Sequence, residues 1–535
     1  MRHLAVPLIT TTLLAGSGWL GAGQVAPAKD VDLQVGVVQR FGSKPTDTLT
    51  LQAQPGDRLT LRFETEGKIQ TVTTGTVKLD IVQQPLAEPI LEERVVFSTH
   101  RSFETAEDSA NRWRAEGIPV EIAQPDRWQV WAKREVYNTP LLRRLLLQSL
   151  QAKGVQTAFI DSKVLRQKPR ASFIANGFRY TRDRLDIGSG QGKIWINPIE
   201  REKRLYAGSL RLQPNAYGTY TLVNQVPLET YLRGVVPFEI GTWAAQPVLE
   251  AQAILARTYA LRNLRRFTVD NYQLCATTQC QVYYGLSGTA ASTDRAIAAT
   301  RGKVLTYQNE LVDALYSSST GGVTARFNDM WQGPDRPYLR SRVDSVGQVW
   351  DLARNSLADE ANFRRFISQK QGFNEASERL FRWRVESSLT EMGQDLRRYL
   401  TEIKSPLATF KTIQKVAVTR RSPGGRVLKL TVTTDQGTLD LERDDVLLAF
   451  YAPNSTLFYL EPLYGPNRVL RGYAFVGGGL GHGVGLSQTG SYHLGKLGWS
   501  SDRILSFYFP GTRLQPIDNT ITFWRPPAAP PTANQ

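Results

Sequence analysis

Glu239 stands in VPLETYLRGVVPFEIGTWAAQPVLEAQAILARTYALRNLRR, residues 226–266. LETYLRGVV has helical apolar spacing, Pro237 breaks the backbone after it, and Pro247 suits the first turn of the next helix. Glu239 is therefore expected in an irregular stretch between two packed helices. A carboxyl placed there can lose part of its hydration, which raises its pKa and suits general acid–base chemistry. The plainer reading is a solvated loop glutamate. Two further segments carry polar groups in unusual settings. Tyr316 to Gly322 reads YSSSTGG, offering hydroxyls and exposed backbone N–H groups, or a tight turn whose hydroxyls bond locally. Gly477 to Gly490 reads GGGLGHGVGLSQTG, with seven glycines and one of only four histidines in the chain.

That glycine run lacks the Lys-Ser/Thr ending of a phosphate loop, and no strand, helix and distant acid surround it as in a dinucleotide site. His482 has no metal partners in sequence, because the other histidines are His3, His100 and His493. What remains is close backbone approach to a ligand or to another part of the chain. His482 either serves the site or is satisfied by neighbouring backbone.

The elements that must position these groups fall into an α+β, multidomain pattern. Residues 1–28 have an early Arg2, an apolar stretch and Ala26-Pro27-Ala28, the layout of a signal peptide. Export to the periplasm or cell wall follows, with anchorage if the signal is kept. No later run is long and apolar enough to span a membrane. Residues 29–92 alternate apolar and polar groups around a Pro-Gly-Asp turn, a small β module. Residues 93–165 read strand, helix, strand, strand, helix, strand, with helices closing on Gly117 and Gly154; this is the order of a ferredoxin-like fold. Residues 170–517 form a larger α+β domain, and 518–535 are a Pro/Ala-rich tail expected to be disordered.

The net charge of +16 suits a polyanion. Export, and the absence of nucleic-acid-binding motifs, set nucleic acid aside and leave anionic lipid or the cell wall. Cys275 and Cys280 are the only cysteines, and in an exported protein they are well placed to form one disulfide pinning a local turn.

The blocks LETYLRGVVPFEI, EAQAILARTYAL, CQVYYG, ALYSSSTGGVT and GHGVGLSQTG occur in that order. In this, residues 170–515 resemble the SpoIID/LytB family (sporulation stage II protein D and amidase enhancer). The 93–165 block resembles SPOR domains, which bind glycan strands stripped of peptide stems. The resemblance implies a peptidoglycan lytic transglycosylase or, alternatively, a non-catalytic wall-binding enhancer of an N-acetylmuramoyl-L-alanine amidase. It implies Glu239 as the catalytic acid. Gln252, Ser318, Ser319, Gly321, Gly322, His482, Ser487 and Gln488 are candidate substrate-binding residues, while Arg257 is read as a brace of its helix. Some family members hold zinc through Cys and His near the cysteine block. Here Asn271 and Gln279 stand where histidines would be needed, so no metal or other cofactor is expected. Peptidoglycan glycan strands are the expected partner, with a cell-wall amidase added in the alternative reading.

Overall fold

The computed structural model describes residues 31–200 and 202–525. The signal-peptide region, and residues 526–535 of the expected tail, lie outside the described residues. The fold is α+β with several sheets. The small β module expected at 29–92 is not separate. Asp32–Phe41 pairs along Tyr220–Pro227, and Leu59–Thr65 pairs with Leu185–Ser189, so both belong to one sheet with Ser209–Pro214. Thr48–Ala53 joins a second sheet between Lys193–Ile199 and the long strand Thr76–His100. Leu33, Val35, Leu51, Leu61, Leu79, Ile196 and Leu222 from both sheets share one core. Alternation marks a half-buried strand but not its partner. For that reason the sequence pattern concealed a pairing across more than a hundred residues.

The boundary expected at residue 92 falls inside Thr76–His100. This strand leaves the second sheet and continues into the block of strands and helices that follows. There the helix Phe103–Ala115, strands Val120–Ala123 and Trp128–Ala132, helix Pro140–Ala152 and strand Phe159–Ala175 appear in the expected order. All pairings are antiparallel, and Thr76–His100 lies between Phe159–Ala175 and Trp128–Ala132. That is the split βαβ arrangement of a ferredoxin-like unit. Gly117 and Gly154 take positive φ just past the two helices, as expected of left-handed caps.

The larger domain is built on the helix Gln246–Arg262, which is buried on all faces from Ala251 onward. Its Arg257 is fully buried and grips the Glu229 carboxylate with two nitrogens, at 2.7 and 2.8 Å. A further nitrogen of Arg257 donates to the Lys303 carbonyl at 3.2 Å. This confirms the bracing role: the arginine ties the central helix to the helix Leu228–Leu232 and to the strand Lys303–Tyr307. Cys275 and Cys280 form a disulfide, and Leu274–Cys275 adds to the edge of Asp32–Phe41. Between the YSSSTGG block and the glycine run, the chain builds another α+β unit. It contains the hairpin Phe458–Tyr464 with Leu470–Gly477, and the meander Ile413–Arg421, Val427–Thr434 and Gly437–Glu442.

Removing one partner of a buried ion pair strands the other charge in the core, at a cost of about 3 kcal/mol or more. Arg257→Ala is therefore expected to lower the urea midpoint of unfolding by a corresponding amount. A midpoint unchanged from wild type would contradict the bracing role.

Candidate active site

Glu239 lies in the short helix Val236–Ile240, which has Pro237 in its first turn and is closed by Gly241 at φ 76°. The expected irregular stretch is thus a single helical turn; proline is compatible with a first turn, so its presence did not prevent one. Val282, beyond the disulfide, donates its N–H to Glu239 Oε1 at 2.7 Å. Gln488 Nε2 donates to the Glu239 carbonyl at 2.8 Å, and the Tyr492 hydroxyl donates to the Ile240 carbonyl at 2.8 Å. Both come from the helix Gln488–Lys496, whose first residues end the glycine run. The Tyr316 hydroxyl lies against the carboxyl and donates to Gln281 Oε1 at 2.9 Å. Burial dominates the electrostatics and pushes the Glu239 carboxyl up to about 7. The Val282 amide, the Tyr316 hydroxyl and the Gln488 amide all favour the charged form and hold it from rising further.

Glu239 opens onto a cleft of about 560 Å³, whose walls also include Tyr316, Ser318, Gly481, His482 and Gln488. His482 and Glu239 therefore share one cleft. His482 Nδ1 accepts from the Val484 N–H at 3.0 Å, and its ring lies beside Trp331 at 5.1 Å between centroids. The Tyr316 backbone also bonds the ring, while burial pushes its pKa down to about 4. His482 is therefore a neutral wall of the cleft, tied to backbone.

Close approach by the glycine run is to another part of the chain. It runs beside the YSSSTGG block: Tyr316 and Ser317 pair in parallel with Leu486 and Ser487, and Ser319 bridges Leu480. A Cβ on Gly479 would sit 2.7 Å from the Gly321 nitrogen, so only glycine permits this crossing. Contact with the Glu239 segment is left to Gln488 and Tyr492.

Several candidate binding residues face inward instead. Glu375 accepts from Ser319 Oγ at 2.9 Å, from the Thr320 N–H at 2.7 Å, from the Gly322 N–H at 3.0 Å and from the Ser487 hydroxyl. Gly321 donates its N–H to Ser319 Oγ at 3.3 Å. Ser487 also caps the helix Gln488–Lys496 through the Gly490 N–H. Ser319, Gly321, Gly322 and Ser487 thus form a buried brace around Glu375, because a carboxylate taken out of water gathers every nearby donor. Gln252 is fully buried in the central helix and does not line the cleft. Ser318 is half-exposed and does line it. Glu375 and Tyr316 were not singled out by sequence reasoning. For Glu375 no local signal existed, since its donors come from elsewhere in the chain. Tyr316 opens a block that had been noticed for its serines.

Around the cysteines, the two sulfurs are bonded to each other. Gln279 Oε1 accepts from Trp128 Nε1 at 3.2 Å, and Asn271 takes a left-handed backbone turn at φ 56°. Two bridged sulfurs and two amides do not fit a tetrahedral zinc ion.

The sequence profile of the family described as "Stage II sporulation protein" matches residues 216–307, which contain Glu239 and both cysteines. A "Domain of unknown function (DUF8618)" profile matches residues 325–485, most of the inserted unit and the start of the glycine run. The "Amidase enhancer" of Bacillus subtilis (strain 168) is 26% identical over 404 residues, covering 67% of this chain and 53% of the relative. "Stage II sporulation protein D" of the same organism is 24% identical over 337 residues, 58% of this chain and 82% of the relative. An uncharacterized protein of Brachyspira hyodysenteriae is 26% identical over 327 residues, 60% of this chain and 74% of the relative. Over these residues the chain is similar to the SpoIID/LytB family. It spans about half the length of the amidase enhancer it matches.

If Ser487 braces Glu375 rather than binding substrate, Ser487→Ala should cost roughly 1–3 kcal/mol of stability, the penalty for an unsatisfied buried partner. Calorimetric unfolding should show that loss while ligand affinity of the folded variant stays unchanged. Weakened affinity at unchanged stability would restore the binding role.

Proposed function

We propose that this chain is a peptidoglycan lytic transglycosylase that cleaves MurNAc–GlcNAc bonds in peptide-stripped glycan strands, with Glu239 as its single acid–base. The observation that carries this reading is a carboxyl pushed up to about 7 at the wall of an open cleft. Near neutral pH such a group exists in both protonation states, as a residue that gives and then takes a proton requires. In the first half of the reaction, Glu239 passes its proton to the glycosidic oxygen as the bond from that oxygen to the muramyl C1 breaks. In the second, the Glu239 carboxylate takes the proton from the muramyl C6 hydroxyl, whose oxygen closes on C1 to give the 1,6-anhydro sugar. The proton lost at the start is regained at the end, and no water is consumed. Because the nucleophile is part of the substrate, its high effective concentration stands in for the second carboxylate of ordinary glycosidases. Tyr316 and Gln488 orient and tune the acid, and His482, held neutral, offers no competing charge.

The strands are reached after export, and the net charge of +16 favours an anionic wall. The ferredoxin-like unit serves as a SPOR-like holder of the same strands. The name of the amidase enhancer supports the alternative, a wall-binding protein that stimulates an amidase without cleaving glycan itself.

The test is incubation with peptide-free glycan strands. Wild type should release anhydro-muramyl products, and Glu239→Gln should be slower by about 10²-fold or more, as expected for loss of a general acid. No product from either protein would favour the enhancer reading.

The pH profile gives a second check. A general acid must hold its proton, so activity should fall as pH rises through about 7. The Tyr316 hydroxyl lowers the pKa of Glu239, so Tyr316→Phe should move that falling limb to higher pH. A limb that stays in place, or moves down, would remove Tyr316 from the site.

A further inference from the structure

The cleft extends beyond Glu239 to a second group of residues supplied by two other parts of the chain. Arg101 and Ser102 come from the ferredoxin-like unit, at the start of the helix Phe103–Ala115. Asp444 comes from the inserted unit, in the turn that follows the strand Gly437–Glu442. Neither side chain is spent on the fold. Arg101 makes no hydrogen bond and no ion pair within 4 Å among the described residues, although it lines the cleft. Asp444 is only 7% exposed, and its Oδ2 is buried with no hydrogen-bond partner among the described residues. The charged and titratable groups around Arg101 are Asp444, Asp445, Arg127 and His482. Arg127 is engaged by Glu402, and His482 is neutral. Burial, with Asp445 beside it, pushes the Asp444 carboxyl up to about 8. At neutral pH it therefore carries a proton and can donate a hydrogen bond. Ser102 caps the helix by accepting from the Thr105 N–H at 3.4 Å, and Glu104 of its first turn, which also lines the cleft, is paired with Arg266 at 3.0 Å. A guanidinium and an acid O–H that converge on one space, unsatisfied from within the protein among the described residues, make a receptor for an anion.

We infer that Arg101, with Asp444, forms a subsite that grips a carboxylate on the ligand held across the cleft from Glu239. Resting on the glycan reading above, it assigns the group that such a strand presents. A strand freed of its peptides carries a bare lactyl carboxylate on each muramyl sugar, whereas an intact stem has converted that acid to an amide. Arg101 would thereby act as a specificity-determining residue, accepting strands with the free acid and holding the neighbouring sugar in register with Glu239.

The experiment uses full-length Glu239→Gln protein, so that nothing is cleaved, and measures binding calorimetrically. The probes are soluble peptide-free glycan strands and the same strands with their carboxyls converted to methylamides. Loss of a charge-assisted hydrogen bond predicts that the methylamide strands bind roughly ten-fold or more weakly. Adding Arg101→Gln should abolish that preference, and Arg101→Lys should keep part of it. Equal binding of acid and methylamide strands overturns the carboxylate subsite while leaving the glycan reading intact. A full preference surviving in Arg101→Gln overturns the role of Arg101. Failure of both strands to bind overturns the glycan reading and the subsite with it. The comparison of the two probes on unaltered Arg101 needs no second variant, so it remains decisive even if Arg101→Gln does not fold.

Discussion

Four segments distant in sequence take the Glu239 carboxyl out of bulk water. Its own helical turn, the Val282 backbone after the disulfide, Tyr316 of the YSSSTGG block and Gln488 at the end of the glycine run converge on it. Burying a carboxyl disfavours its charge, and three hydrogen-bonding groups partly offset that effect without cancelling it. The result is an acid balanced near neutrality, and the balance depends on where those groups are held. Glu239 is the group on which the surrounding architecture is centred.

The holding is done by buried polar nodes rather than by apolar packing alone. Arg257 fixes the central helix against the helix that precedes Glu239. Glu375 collects donors from Ser319, Thr320, Gly322 and Ser487, and so locks the Tyr316 block to the start of the Gln488 helix. Arg426, fully buried, donates to the Thr320 and Val323 carbonyls and secures the same block from the inserted unit. Such networks are costly when incomplete and specific when satisfied. They set the distance between Tyr316 and Glu239 by fixing both backbones.

Much of this was legible in the residues. The β-α-β-β-α-β order, the glycine caps, the first-turn proline of the central helix and the disulfide all followed from local chemistry. What stayed hidden depends on contacts between distant segments. Strands 32–65 alternate correctly but do not announce that their partners lie at 185–227. Hydroxyls at Ser319 and Ser487 look the same in sequence whether they face a sugar or Glu375, and Glu375 sits in a stretch with no motif. Glycines 479 and 321 signalled a close crossing, yet not which backbone would cross which. Arg101 and Asp444 belong to different units, so only the fold brings them to one cleft.

The cleft thus joins three parts of the chain around one acid: the family domain with Glu239, the ferredoxin-like unit with Arg101, and the inserted unit with Asp444. The central claim is the protonation of Glu239, and it can be measured without substrate. Carboxyl ¹³C resonances of glutamate-labelled protein, followed against pH in wild type and Glu239→Gln, report it directly. One glutamate signal titrating near 7 in wild type and missing from the variant is the result expected. A Glu239 signal titrating near the ordinary 4.5 would contradict the account.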